Sequence, residues 1–228
     1  MTTVAGLTIH DVVQGSPEWL ELRRGIVTAS TVGQLITPST LKVAGNDKSR
    51  ALVSQLVAER ITGWVEEPYV SNDMWRGRMD EPLARDLYSK TYAPVTQCGF
   101  MTLKMPSLKL GYSPDGLVGD DGLIEVKSHA PKKHVAIVLA DEVPIEHVPQ
   151  CQAGLFVSGR SWVDYLSYCG GMPMWRKRVT PDLEWFTAIT EAVRGFEDTA
   201  AHMIAAYTTA VKGLPQTERI EYLPEARI

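Results

Sequence analysis

The order of apolar and polar positions divides the chain into a helical first part, a strand-rich middle and a helical end. Ser16-Pro17-Glu18-Trp19 opens the first predicted helix, because a serine can cap, a proline suits the first helical position and an acid suits the first turn. A second, short helix is expected from about Thr28–Ser30 to Thr37-Pro38, followed by a polar loop from Ser39 to Asn46. Leu52, Val53, Leu56, Val57 and Ile61 then recur at helical spacing from about Asp47 to Thr62, and Gly63 can end that helix. A further helix is expected from Asn72 to Tyr92, kinked or split by Pro82.

From residue 94 the period changes. Segments 94–104, 108–113 and 122–127 are short, β-prone and punctuated by glycine and proline, which predicts an antiparallel meander. Helical patterns return at about 131–140 and 145–158. Strands are expected at Trp162–Tyr168 and, after the Gly170-Gly171 turn, at Met174–Thr180. Thr180-Pro181-Asp182 opens a last helix to about Val211, and the polar, proline-containing tail beyond it is expected to be partly disordered. Helices around a central mixed sheet give an α/β (α+β) class.

A length of 228 residues suits one domain, 1–228, with a core over about 16–180 and a C-terminal helix and tail over 181–228. Cys98, Cys151 and Cys169 are too few and scattered for a disulfide framework and form no CxxC pair, so neither staples nor structural zinc are expected. A reducing, cytoplasmic setting follows from this reading. No stretch approaches the ~18 apolar residues of a membrane span, so no membrane association is expected. The net charge of −4 argues at first against a nucleic-acid partner. However, residues 181–228 carry eight acids and four bases, which leaves the first 180 residues neutral. Their bases cluster at Arg23-Arg24, Arg76/Arg78/Arg85, Lys132-Lys133 and Arg176-Lys177-Arg178, and phosphate binding depends on such local fields.

The candidate chemistry lies in Ser113-Pro114-Asp115-Gly116-Leu117 and Gly122-Leu123-Ile124-Glu125-Val126-Lys127. On a strand, Glu125 and Lys127 face one side, while Ile124 and Val126 point into the opposite, buried layer. Asp115, in a Pro-Asp-Gly turn ten residues earlier, can fold back beside them. Two carboxylates and an amine around one point suit phosphodiester hydrolysis. The carboxylates can hold Mg²⁺, with Mn²⁺ an expected substitute, and a lysine can orient the attacking water and balance charge in the transition state. A Pro-Asp-Gly turn or a Glu-x-Lys strand alone is more often a hairpin device or a solvated face. The two in order are more specific.

These residues resemble the PD-(D/E)XK nucleases, most of all their phage-recombination branch of lambda-exonuclease-like, YqaJ-type viral recombinases. The resemblance runs from about Trp19 to Tyr168 and rests on four segments. Trp19 to Ser30 matches the family's W-x-x-x-R-x-G-x-x-T-A-S opening, and Arg76 to Pro82 its G-x-x-x-E helix. The Asp115/Glu125/Lys127 core is the third segment, and Pro149-Gln150-Cys151-Gln152 matches its Q-x-Q helix. The resemblance implies metal ligation by Asp115, Glu125 and the Val126 backbone carbonyl, with Lys127 catalytic, Glu81 an auxiliary acid and Gln152 lining the active site. It implies 5′-phosphate and DNA contacts from Arg23 and Ser30, with Thr28 and Gln150. It further implies a restriction-endonuclease-like core and 5′→3′ digestion of one strand of linear duplex DNA to leave a 3′ overhang. A ring-shaped homotrimer and a single-strand annealing protein as recombination partner are implied as well. An endonuclease or repair nuclease of the same chemistry, and a catalytically idle DNA-binding relative, remain as alternatives. Other signals carry less: His129 and His134 lack the spacing of a zinc helix, and the six tryptophans are expected mostly to pack.

Overall fold

The computed structural model describes residues 5–65 and 71–219. Its N-terminal part comprises β1 (Leu7–His10), α1 (Pro17–Arg23), β2 (Val27–Thr28), α2 (Ala29–Val32), a 3-10 turn (Gly33–Leu35), β3 (Ile36–Thr37), β4 (Lys42–Val43), α3 (Asp47–Thr62) and α4 (Asn72–Thr91). Five strands follow: β5 (Val95–Thr96), β6 (Phe100–Met105), β7 (Leu108–Tyr112), β8 (Gly116–Val118) and β9 (Gly122–Ser128). The chain continues with α5 (Pro131–Ala140), α6 (Val148–Ser158), β10 (Trp162–Tyr168), β11 (Trp175–Val179) and α7 (Leu183–Ala210).

The helix boundaries follow from local chemistry. Ser16 caps α1 by accepting from Trp19 N, and Asn46 caps α3 by accepting from Ser49 N. Gly63 ends α3 in the left-handed conformation. Gly25, at φ +65°, turns the chain from α1 into β2. A Cβ there would stand 2.4 Å from Arg60 Cγ, so glycine is required on two counts.

Four expectations change. The second helix stops at Val32, and β-branched Ile36-Thr37 instead pairs with Lys42-Val43 in a small hairpin. β1 has no strong signal of its own and exists because it pairs antiparallel with β6, some ninety residues later. Pro82 does not split α4, which runs through it; it lies on the exposed face, where water can satisfy the carbonyl that loses its partner. The expected meander is divided between two sheets. β6 and β7 belong to a four-stranded sheet of order β1-β6-β7-β2, whereas β8 and β9 belong to a five-stranded sheet of order β11-β10-β9-β8-β5. The chain crosses between them at Ser113-Pro114-Asp115, where proline removes a ladder donor. Of the tail, 214–219 have no regular structure, and 220–228 lie outside the described residues.

The five-stranded sheet is mixed, with β9 parallel to β10 and antiparallel to β8. Its two faces bury different layers. Ile124, Val126 and Leu166 pack with Ala84 and Tyr88 of α4, while Leu123, Val163 and Tyr165 join the larger core with residues of α3, α6, α7 and the other sheet. The result is a mixed α/β fold whose central strand, β9, is held between helices on both sides.

Candidate active site

Strand β9 sets the centre of the site. Its even-numbered residues are locked into the α4 layer, so Glu125 and Lys127 must project to the other side. The β8–β9 register aligns Gly116 with Ile124, which brings Asp115 opposite Glu125. Gly116 lets β8 pack closely between its neighbours, since a Cβ there would lie 2.2 Å from Val95 Cγ1 on β5 and 3.0 Å from Ile124 Cγ1 on β9. Asp115 Oδ2 accepts a hydrogen bond from Val126 N at 2.6 Å, which ties the turn to the strand.

Glu125 is fully buried. Its Oε1 accepts from Lys127 Nζ and from Gln150 Nε2, both at 2.5 Å, while Oε2 is buried without any hydrogen-bond partner. Glu81 reaches the same centre from α4. Arg85, one helical turn on, donates to Glu81 and, through Nε at 2.8 Å, to the Asp115 carbonyl oxygen.

The electrostatics show a site short of positive charge. Burial first and the neighbouring Asp115 second push the Glu125 carboxyl up to about 8, against the opposing pull of Lys127. Burial and Asp115 likewise raise Glu81 to about 7, with Arg85 opposing. Asp115 is raised by burial, partly offset by Lys127. Burial alone would lower Lys127, but Glu125 and Asp115 outweigh it and hold the ammonium well above its ordinary range. Three acids against Lys127 and Arg85 leave a net −1 when all are ionised.

A divalent cation fits this donor set. Hard carboxylate oxygens are present, one is buried with no donor, and their mutual repulsion is what a cation would relieve. Among the described residues no three His, Cys, Asp or Glu side chains converge closely enough to hold a metal unaided. The third protein donor would then be a backbone carbonyl, and Val126 lies between the two key side chains.

The other expected residues are placed as follows. Arg23 is half-buried: its guanidinium lies 4.1 Å from the centroid of the Trp19 ring, and NH1 is 3.4 Å from Ser113 Oγ, which also accepts from Trp19 Nε1 at 2.8 Å. Burial lowers Arg23 to about 10, with Glu59 opposing, so it remains a cation at neutral pH. Ser113, which Arg23 contacts, stands two residues before Asp115 in the chain. Ser30 is exposed at the start of α2, with its Oγ 3.1 Å from Thr28 Oγ1. Thr28 is itself buried and occupies the N-cap position of α2.

Gln152 is a correction. Rather than lining the active site, it donates to Thr180 O at 2.9 Å and accepts from Asp182 N at 3.0 Å, fixing the entry to α7. Residues two apart on a helix point roughly 200° apart, so only one glutamine of the pair can face Glu125, and that one is Gln150. Arg85 and Ser113, which sequence placed only in a basic cluster and in the central motif, prove to position Glu81 and Arg23. Arg85 was detectable as the i+4 partner of Glu81, whereas the role of Ser113 depends on α1 folding back over the β7–β8 junction.

Residues 18–161 match the model of the YqaJ-like viral recombinase domain, well over half of the chain. The chain belongs to this family. Among solved structures, this YqaJ-type chain is similar to an alkaline exonuclease from Laribacter hongkongensis. The two are 29% identical with a TM-score of 0.77, over 88% of this chain and 100% of the other. The same exonuclease in complex with dAMP gives the same values. A phage related exonuclease from Haemophilus somnus 129PT shares the fold, with a TM-score of 0.63 at 12% identity, over 82% of this chain and 98% of the other. No curated protein matches the chain. The fold is accordingly the PD-(D/E)XK nuclease fold. No helix among the described residues is long and apolar enough to cross a membrane.

Proposed function

We propose that this chain is a Mg²⁺-dependent 5′→3′ exonuclease that digests one strand of linear duplex DNA and leaves a 3′ overhang. The observation that carries the reading is the buried Asp115–Glu125–Lys127 cluster with its unpartnered Glu125 Oε2, set in a fold shared with an alkaline exonuclease. Membership of the viral recombinase family supports nuclease action on DNA.

Asp115, Glu125 and the Val126 carbonyl would hold Mg²⁺ or Mn²⁺, with Glu81 as an auxiliary acid. When bound, the metal would lower the pKa of a water and polarise the phosphoryl group. The chain's own residues have distinct tasks. Gln150 and Lys127 hold the Glu125 carboxylate in one orientation. Lys127, kept charged, can donate a hydrogen bond to the attacking water and offset negative charge on the phosphoryl oxygens. Arg85 fixes Glu81 relative to the Asp115 backbone. Arg23, braced by Trp19, presents a guanidinium suited to a terminal phosphate, with Ser30 as a further donor. Such a pocket serves a chain end, which favours an exonuclease over an endonuclease. A cytoplasmic, ring-shaped trimer acting with a single-strand annealing protein completes the proposal, on the family resemblance.

The test uses linear duplex DNA labelled at either end, with and without a 5′ phosphate, and with closed circles as comparison. Mg²⁺-dependent loss from 5′-phosphorylated ends, abolished by chelator and by Lys127→Ala, is the expected result. Equal cleavage of circles would identify an endonuclease. Binding without digestion in any metal would leave a DNA-binding relative.

A further inference from the structure

A cavity of about 480 Å³ lies apart from the carboxylate cluster, where the ends of α1 and α3 and the side of α7 meet the β6–β7 hairpin. Its charged lining consists of Arg24, Arg60, Lys104 and Lys109 against a single carboxylate, Glu197. Arg60 neutralises Glu197 with two nitrogens at 2.7 and 2.8 Å and holds the Gly25 carbonyl through Nε. Arg24 donates to Gly63 O and to the exposed Glu21.

Lys104 and Lys109 differ from these arginines. Among the described residues neither ammonium has an ion-pair or hydrogen-bond partner, yet the two are direct register partners across β6 and β7. Directly opposed side chains on an antiparallel pair have Cβ atoms roughly 5 Å apart, and like charges there repel unless an anion lies between them. The turn joining the strands places Ser107 at φ +56°, a conformation L residues rarely adopt, and Ser107 lines the same cavity. Two unpaired cations, a hydroxyl and a nearby guanidinium form a set that suits a phosphate group.

The cavity also lies along the sheet from Arg23, the residue proposed to bind the DNA end. Phe100, whose ring centroid is 6.0 Å from the Arg23 guanidinium, and Lys104 are four residues apart on the same face of β6. At ~3.3 Å per residue this is about 13 Å, a span that a few nucleotides of one strand can bridge. The lining offers no free carboxylate or amide to read a base, because Glu197 is already paired.

We propose that Lys104 and Lys109, with Arg24 and Ser107, form a second phosphate site that holds the DNA backbone a few nucleotides from the end bound near Arg23. The site rests on the nuclease reading but is separable from it by experiment. Binding of a 5′-phosphorylated duplex would be followed by fluorescence anisotropy in chelator, which prevents cleavage, over a series of salt concentrations. Each phosphate contact contributes ~0.9 to the slope of log K against log salt. Lys104→Gln/Lys109→Gln should therefore flatten the slope by about 1, the worth of one phosphate contact, while Lys104→Arg/Lys109→Arg should keep it. The Gln variant should melt no lower than wild type, since it removes a repulsion.

A wild-type protein that binds the duplex with the slope unchanged in the Gln variant would overturn this site and leave the nuclease reading intact. A wild type that binds no duplex at any salt would overturn both. A free deoxynucleoside monophosphate that raises the wild-type melting temperature but not that of the Gln variant, with slopes equal, would show a mononucleotide site instead and so refute the backbone site.

Discussion

Replacing Glu125 by glutamine should stabilise the metal-free protein at alkaline pH while disabling it as a nuclease. Glu125 is buried and its carboxyl is raised to about 8, so near pH 7 the folded protein binds a proton that the unfolded chain, with an ordinary value near 4.5, has released. Stability therefore falls as pH rises from about 4.5 to about 8 and levels off above that. At ~1.4 kcal/mol per pKa unit the full shift is on the order of 5 kcal/mol. The net gain on substitution is smaller, about 1–3 kcal/mol, because Lys127 loses its closest anion. The glutamine oxygen can replace Oε1 as acceptor for Lys127 and Gln150. Its amide can stand where Oε2 has no donor, so no donor meets a donor.

At about 2–4 °C per kcal/mol for a chain of this size, the variant should melt several degrees above wild type at pH 9 in chelator. That advantage should vanish near pH 4.5. Mg²⁺ should reverse the order, since saturation at about 100 times Kd adds roughly 2.7 kcal/mol to a protein that binds it. Cleavage should fall by more than about 100-fold, beyond the range seen when a residue that merely supports a metal ligand is lost. Thermal melts at pH 4.5, 7 and 9, with chelator and with Mg²⁺, read all of this. A variant no more stable than wild type at pH 9, or a difference independent of pH, would refute the buried repulsion on which the metal site is argued.

Lys127→Ala should lower the rate of DNA cleavage by roughly 100-fold or more while duplex binding in chelator persists, as measured by single-turnover kinetics and anisotropy. Arg23→Ala should reduce the preference for 5′-phosphorylated over 5′-hydroxyl ends by about 10–100-fold, the worth of a charged hydrogen-bonded contact, and lysine should restore only part of it; competition between the two substrates measures the ratio. Gln150→Ala and Gln152→Ala should separate cleanly. The first should lower the rate with little change in melting temperature. The second should break two partly buried hydrogen bonds, to Thr180 O and from Asp182 N, costing about 1–2 kcal/mol of stability, with the rate per folded molecule retained. Equal effects of the two glutamines on rate would contradict the placement of α6.

Local chemistry made much of this protein legible in its sequence. The caps at Ser16 and Asn46 and the stop at Gly63 set α1 and α3 because each acts over a few residues. Two-residue alternation placed Glu125 and Lys127 on one side of β9 and buried Ile124 and Val126 on the other. The Pro-Asp-Gly segment marked a break in the strands, while the β8–β9 pairing is what sets Asp115 opposite Glu125. Contacts between distant segments decided the rest. β1 is a strand only because β6 needs an edge partner, and the supposed meander divides because the chain changes sheets at Pro114. The glutamine facing Glu125 depends on how α6 rotates against the core, a choice the Q-x-Q spacing leaves open. Arg23 reads as an exposed helix arginine until α1 docks beside Ser113, where burial and Trp19 give it one orientation. Short-range hydrogen bonding and side-chain alternation are properties of the sequence. Which faces meet, and therefore which charges are buried together, is settled only when the whole core packs.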